Sequence, residues 1–158
     1  MSLNDWILAL HLLAAFAFLG ALIVFTLMII ALWNTDSTRR VTSFMLVARI
    51  GTVMVAVGAI GSVVFGIWLS LTKEPYDPWD AWIVVSLVLW AVAGGLGGRA
   101  GKEYGDAALE AARLLESGVE TSPEVRATYG PSRAFWLHVA GTVGVLLIVV
   151  LMVWKPGA

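Results

Sequence analysis

The chain contains no cysteine and little charge. Without thiols, a disulfide framework, a thiolate metal site, a cysteine nucleophile and thiol–disulfide exchange are all excluded. Only 13% of the 158 residues are charged, against roughly 25% in an ordinary soluble domain. Hydrophobic residues make up 59%, and the mean hydropathy is +0.87. A net charge of −1 provides no basic excess for a nucleic-acid partner. Internal repeats, phosphate-cradling glycine loops, Ser/His/Asp sets and metal-spaced clusters are also missing. Lipid is the solvent that such a composition suits.

A membrane helix needs about 20 mainly apolar residues, because the hydrocarbon core is about 30 Å thick and a helix rises about 1.5 Å per residue. Four charge-free stretches meet or approach that length: residues 6–33, 50–71, 81–98 and 134–154. None of the 10 basic and 11 acidic residues falls inside them. The third stretch ends in Gly94-Gly95-Leu96-Gly97-Gly98, a poor helix former in water that lipid tolerates because the backbone must still bond internally. These spans predict an all-α fold, an integral membrane four-helix bundle in a single membrane domain, 1–158.

Tryptophan favours the membrane interface, and Trp6, Trp33, Trp68, Trp79, Trp82, Trp136 and Trp154 fall near predicted span ends. Trp90 alone sits in mid-span, where packing or lipid contact explains it. The first five residues carry no Lys or Arg, unlike a cleavable signal peptide, so the first helix is expected to stay in the mature protein.

Residues 34–49 and 99–133 hold Arg39, Arg40, Arg49, Arg99, Lys102, Arg113, Arg126 and Arg133, whereas the other side holds only Lys73 and Lys155. The positive-inside rule therefore predicts a bacterial inner-membrane protein with both termini outside. Asp36-Ser37-Thr38 provides N-cap residues for a helix that begins before the lipid. Arg49, near its boundary, either snorkels to the headgroups or binds a lipid phosphate or an acidic partner. Arg39 and Arg40 are further candidates for lipid or partner contact.

Residues 99–133 are expected to form a cytoplasmic amphipathic helical segment between spans three and four. Ala108, Ala111, Ala112 and Leu115 share one face, Glu110 and Arg113 can pair at i,i+3, and Gly118 is a natural C-cap. Ser122-Pro123 reads as an N-cap with proline at N1, opening a short helix that Gly130-Pro131 ends. The segment packs on the bundle or offers a docking surface to a partner.

No carboxylate lies within a span, which weighs against ion-coupled transport. Two intramembrane histidines remain, His11 and His138. Each is either an interhelical hydrogen-bonding residue or a ligand for haem or a metal. Their predicted depths differ by about half of a ~30 Å core, so one iron cannot take both. Small residues recur at Gly58, Ser62 and Gly66, at Gly94 and Gly98, and at Ala140 and Gly144, which predicts close helix packing. The glycines from 94 to 98 alternatively make a hinge or an unwound ligand site. On the other side, Glu74, Asp77 and Asp80 could hold a cation weakly, or Asp77 and Asp80 cap the third helix.

Leu10-His11-Leu12-Leu13 with Gly20, the charged segment between spans three and four, and Leu151-Met152-Val153-Trp154-Lys155-Pro156 carry a resemblance over the whole chain. It resembles a domain-of-unknown-function family of predicted four-span bacterial integral membrane proteins. That resemblance implies an inner-membrane bundle and transfers no activity. A first-span His followed by glycine is also similar, over one helix, to the haem-binding membrane protoporphyrinogen oxidase family and to copper-resistance membrane proteins. No basic residue lies within a span here to match their partner.

The expected function is therefore a non-enzymatic accessory, assembly or structural role with no cofactor. The rival reading is a membrane redox protein binding haem b through His11, and a third is a small permease formed by oligomerisation. Partners are the lipid bilayer and either a second copy or another membrane protein.

Overall fold

The computed structural model describes residues 2–72 and 77–156. The chain is an all-α membrane bundle, and four of its helices are long and apolar enough to cross a membrane. Its elements run α1 (Leu3–Ala31), α2 (Thr38–Ser43), α3 (Met45–Thr72), α4 (Ala81–Glu116), α5 (Pro123–Thr128) and α6 (Arg133–Trp154).

Local chemistry sets most of the helix ends. Ser2 and Asp5 form a reciprocal capping box at the start of α1, which satisfies two of its orphan amides. Ser37 accepts from the Arg40 amide at the start of α2, and Ser122 caps α5 with Pro123 in its first turn. Gly118, at φ +84°, follows α4 as the left-handed residue that only glycine adopts cheaply. Asp80 occupies the N-cap position of α4 without capping it by its side chain. Its carboxylate instead accepts from the Asp77 amide, and the Asp77 carboxylate accepts from the Trp79 amide. The two acids thus shape the turn before the helix, where capping was expected. Glu74 lies outside the described residues.

The third predicted span and the amphipathic segment are one helix. α4 has 36 residues and is therefore about 54 Å long, well beyond a hydrocarbon core of about 30 Å. Its glycine cluster remains helical throughout, so the backbone is not unwound there.

Antiparallel pairing dominates the tertiary structure: α1 packs on α3, and α4 packs on α6. Close approach in the first pair depends on glycine. A Cβ on Gly58 would lie 2.7 Å from the Phe18 amide nitrogen and 2.8 Å from the Ala14 carbonyl oxygen. In the second pair, Gly141 and Gly144 pack against Ala93, while Ala140 is exposed. Expected small-residue packing thus holds at Gly58 and Gly66 of α3 and at Gly144 of α6, with Gly141 in place of Ala140.

The best-buried core lies at one end, called here the charged end. There Met28, Ile29, Leu32, Val41, Tyr104 and Ala111 pack together with Val125 and Tyr129 of the α5 region. Backbone bonds stitch residues 34–38 to the chain beyond α4: Thr38 N donates to Glu120 O, Ser122 N to Asp36 O, and Asn34 N to Tyr129 O. Glu124 beside them is held below its ordinary carboxyl range by the Ser122 hydroxyl. The two helix pairs are thereby clamped at this end. At the opposite end the Lys155 ammonium sits 6.0 Å over the Trp82 ring, within reach of a cation–π contact.

Candidate functional site

Along the membrane-spanning length, the two helix pairs leave a cleft of about 220 Å³ between them. α1 lines it with Phe18 and Phe25, α3 with Thr52 and Ala59, and α6 with His138 and Thr142. Val41 and Phe44, in and just after α2, close it at the charged end. A smaller cavity of about 70 Å³ continues toward the opposite end, sharing Phe18, Trp90 and Val145 with the first. Trp90, read from the sequence as packing or lipid contact, therefore stands between two cavities.

The α4 wall is built from glycine. Gly94, Gly97, Gly98, Gly101 and Gly105 all line the cleft, because spacings of three and four put them on one helical face. A Cβ at any of these five would meet nothing within 4 Å. Gly94, Gly98, Gly101 and Gly105 leave space open, whereas Gly97 also lets α6 approach: a Cβ on Gly141 would lie 3.4 Å from the Gly97 amide nitrogen. Gly94 and Gly98, expected as a packing pair, form a wall of the cleft.

One side of the cleft is open. α1 and α6 approach each other behind it, where Thr26 stands 2.9 Å from His138 and the ring of Trp33, just past α1, stands 5.0 Å from that of Phe135. α3 and α4 make no extensive contact. Thr52 on α3 and Gly94, Gly98 and Gly101 on α4 are exposed, so the mouth lies between those two helices.

The structure separates the two histidines. His11 is buried in the α1–α3 seam, with its Nδ1 2.8 Å from the Ser62 carbonyl oxygen. A carbonyl only accepts, so Nδ1 carries the proton and Nε2 keeps its lone pair. Gly66 makes room for the ring: a Cβ there would lie 3.1 Å from His11 Cε1. His11 lines neither cavity. His138 is the histidine that faces the cleft. Its Nε2 lies 2.9 Å from Thr26 Oγ1, which gives its single proton to the Leu22 carbonyl at 2.9 Å. Nε2 of His138 is therefore the donor in that pair.

Arg49 is exposed on α3, one residue beyond Ala48 and three before Thr52, both of which line the cleft. Among the described residues it has no ion-pair partner. Arg39 and Arg40 lie on α2 away from the lining, and Arg39 faces Glu120 at 3.5 Å in an exposed pair. Two further polar groups escaped sequence reasoning. The buried hydroxyls of Tyr104 and Thr142 line the cleft region without a hydrogen bond, although the Ser132 hydroxyl stands near Tyr104. Their helical register with the α4 glycines and with His138 was the one signal available. No group of three acidic or histidine residues able to hold a metal ion occurs among the described residues.

Residues 5–156 match the model of DUF2269, a predicted integral membrane protein family. No curated protein and no solved structure matches the chain. The chain belongs to the DUF2269 family and is a multi-pass membrane protein.

Proposed function

We propose that this DUF2269 member is a non-enzymatic accessory protein of the bacterial inner membrane that holds a hydrophobic molecule between its helix pairs. The observation that carries this reading is the open cleft of about 220 Å³ with its glycine wall. The cleft opens between two membrane-spanning helices, so apolar molecules of the bilayer can reach its walls. Adding methyl groups to the α4 wall would narrow it without a clash, yet the wall is glycine at five positions. An accessory role fits the walls better than catalysis, because they carry no carboxylate and the His138 Nε2 is already committed to Thr26. By the positive-inside rule the charged end faces the cytoplasm and both termini lie outside; a tag at Ala158 accessible only from the cytoplasm would reverse that orientation.

The test is extraction of the purified protein with organic solvent, followed by mass spectrometry. A hydrophobic molecule is expected at close to one per chain, and Gly98→Leu should displace it. Recovery of no such molecule, together with unchanged thermal stability of Gly98→Leu, would sink the reading.

Haem binding is the second reading, and its support is the His11 tautomer. Nδ1 donating to a backbone carbonyl leaves Nε2 free, which is the arrangement of an iron-ligating imidazole. It requires the α1–α3 seam to open beside Gly66. A Soret band in the purified protein that His11→Ala abolishes would favour it over the accessory role. Substrate-dependent flux in proteoliposomes would instead favour a permease.

A further inference from the structure

We infer that the occupant of the cleft is one acyl chain of an anionic glycerophospholipid, which enters between α3 and α4 while Arg49 holds its phosphate. This rests on the reading of the cleft as a ligand site and adds the ligand's chemical class, its route and its headgroup contact.

Shape selects a chain over a ring system. On α3 the lining runs from Met45 to Ala59 and on α1 from Phe18 to Leu32, each about 21 Å along a helix at 1.5 Å per residue. A volume of about 220 Å³ spread over that length is a slot. One flexible alkyl chain fills a slot, whereas a macrocycle or fused ring needs breadth in two directions. The α4 glycines allow the chain to lie directly against the helix backbone, where Cβ atoms would otherwise stand.

Access selects a membrane lipid. The mouth is the gap between two membrane-spanning helices, so its contents exchange with the bilayer and not with water. The cleft also starts at the charged end, below Phe44, and runs inward. A lipid of the leaflet on that side can therefore keep its headgroup at the interface while one chain turns into the slot.

Charge selects the headgroup. Arg49 is exposed at the α3 lip and no described carboxylate pairs with it. A guanidinium at the lipid boundary fits phosphate with two parallel hydrogen bonds. With no acidic partner beside it, a headgroup of net negative charge is preferred over a zwitterionic one, whose ammonium Arg49 would repel. From the level of Arg49 to Ala59 the slot offers about 15 Å, enough for most of an extended acyl chain.

The experiment uses the full-length protein in nanodiscs of equal phosphatidylglycerol and phosphatidylcholine, released into detergent for native mass spectrometry. Wild type is expected to retain one phosphatidylglycerol. In Arg49→Gln, the preference for phosphatidylglycerol over phosphatidylcholine should fall about tenfold, the value of one charge-assisted contact, while a lipid is still retained. Gly98→Leu and Gly94→Ile should lose the bound lipid. As a check that needs no variant, phosphatidylglycerol with a photoactivatable acyl chain should label the peptides around Thr52 and Gly98.

An unchanged preference in Arg49→Gln overturns the headgroup assignment. Equal lipid retention in both glycine variants, or labelling confined to the outer faces of the bundle, overturns the acyl-chain assignment. If a different hydrophobic molecule is displaced by Gly98→Leu, the lipid proposal falls and the ligand-site reading stands. If nothing is retained or displaced, both fall.

Discussion

The Thr26 hydroxyl on α1 and the His138 Nε2 on α6 stand 2.9 Å apart, a hydrogen bond that joins the two helix pairs behind the cleft. Each pair is internally packed through glycine contacts, but between the pairs the membrane-spanning contact is sparse. A polar bond within hydrocarbon is therefore one of the few things that sets their separation.

Thr26→Val is expected to lower stability by about 1 kcal/mol, near the middle of measured interhelical hydrogen bonds in membrane proteins, while Thr26→Ser keeps the bond. Reversible unfolding in mixed micelles measures both. Equal stability of the valine variant and wild type would show that this bond does not hold the pairs together.

Glycines 58 and 98 should respond oppositely to the same added methyl. At Gly58 the new Cβ would meet backbone atoms of α1 at 2.7 and 2.8 Å. A helix backbone cannot yield, so α1 and α3 must separate, at a cost of about 1–3 kcal/mol. At Gly98 nothing lies within 4 Å, and Gly98→Ala should be neutral or stabilising by up to about 1 kcal/mol, because alanine has less backbone freedom to lose. Thermal melts of the two variants in one detergent provide the comparison.

Gly66→Ala tests the His11 seat. Its Cβ would press on the imidazole at 3.1–3.3 Å, and the ring can turn away only by giving up the Ser62 carbonyl. Nitrogen NMR of the labelled imidazole should show the Nδ1-protonated tautomer in wild type and a mixture in Gly66→Ala. Identical spectra would mean that the seat is looser than this packing implies.

At the charged end, a hidden hydroxyl should outweigh a visible ion pair. Thr38 is fully buried and its Oγ1 donates to the Val119 carbonyl at 2.8 Å; Thr38→Val leaves that carbonyl unpaired, at a cost of about 1–3 kcal/mol. Arg39 and Glu120 are 75% and 73% exposed, and Arg39→Ala should cost less than about 0.5 kcal/mol. Chemical unfolding of both variants checks the order.

Much of the architecture was legible in the order of residues. Four charge-free stretches identify the membrane-crossing helices, because transfer into lipid depends on composition summed over about 20 residues of one segment. Caps were equally local: Ser37, Ser122 with Pro123, and Gly118 act within a turn of themselves. The Gly94–Gly98 run was harder to interpret, because low helix propensity in water says little where an unbonded backbone is prohibitive.

Which helix meets which, and where they fail to meet, was decided by the tertiary structure alone. Gly58 and Gly98 are the same residue type in similarly apolar surroundings, yet one receives a neighbouring backbone and the other faces empty space. His11 was the preferred ligand candidate of the two histidines, yet packing buries it against Gly66 and places His138 on the cleft wall. The sequence by itself determined the solvent, the four membrane-crossing segments and the caps at Ser37, Ser122 and Gly118, which depend on each segment's own chemistry. Packing determined the cleft, its mouth and the Arg49 lip, because those depend on the fit of surfaces from separate helices.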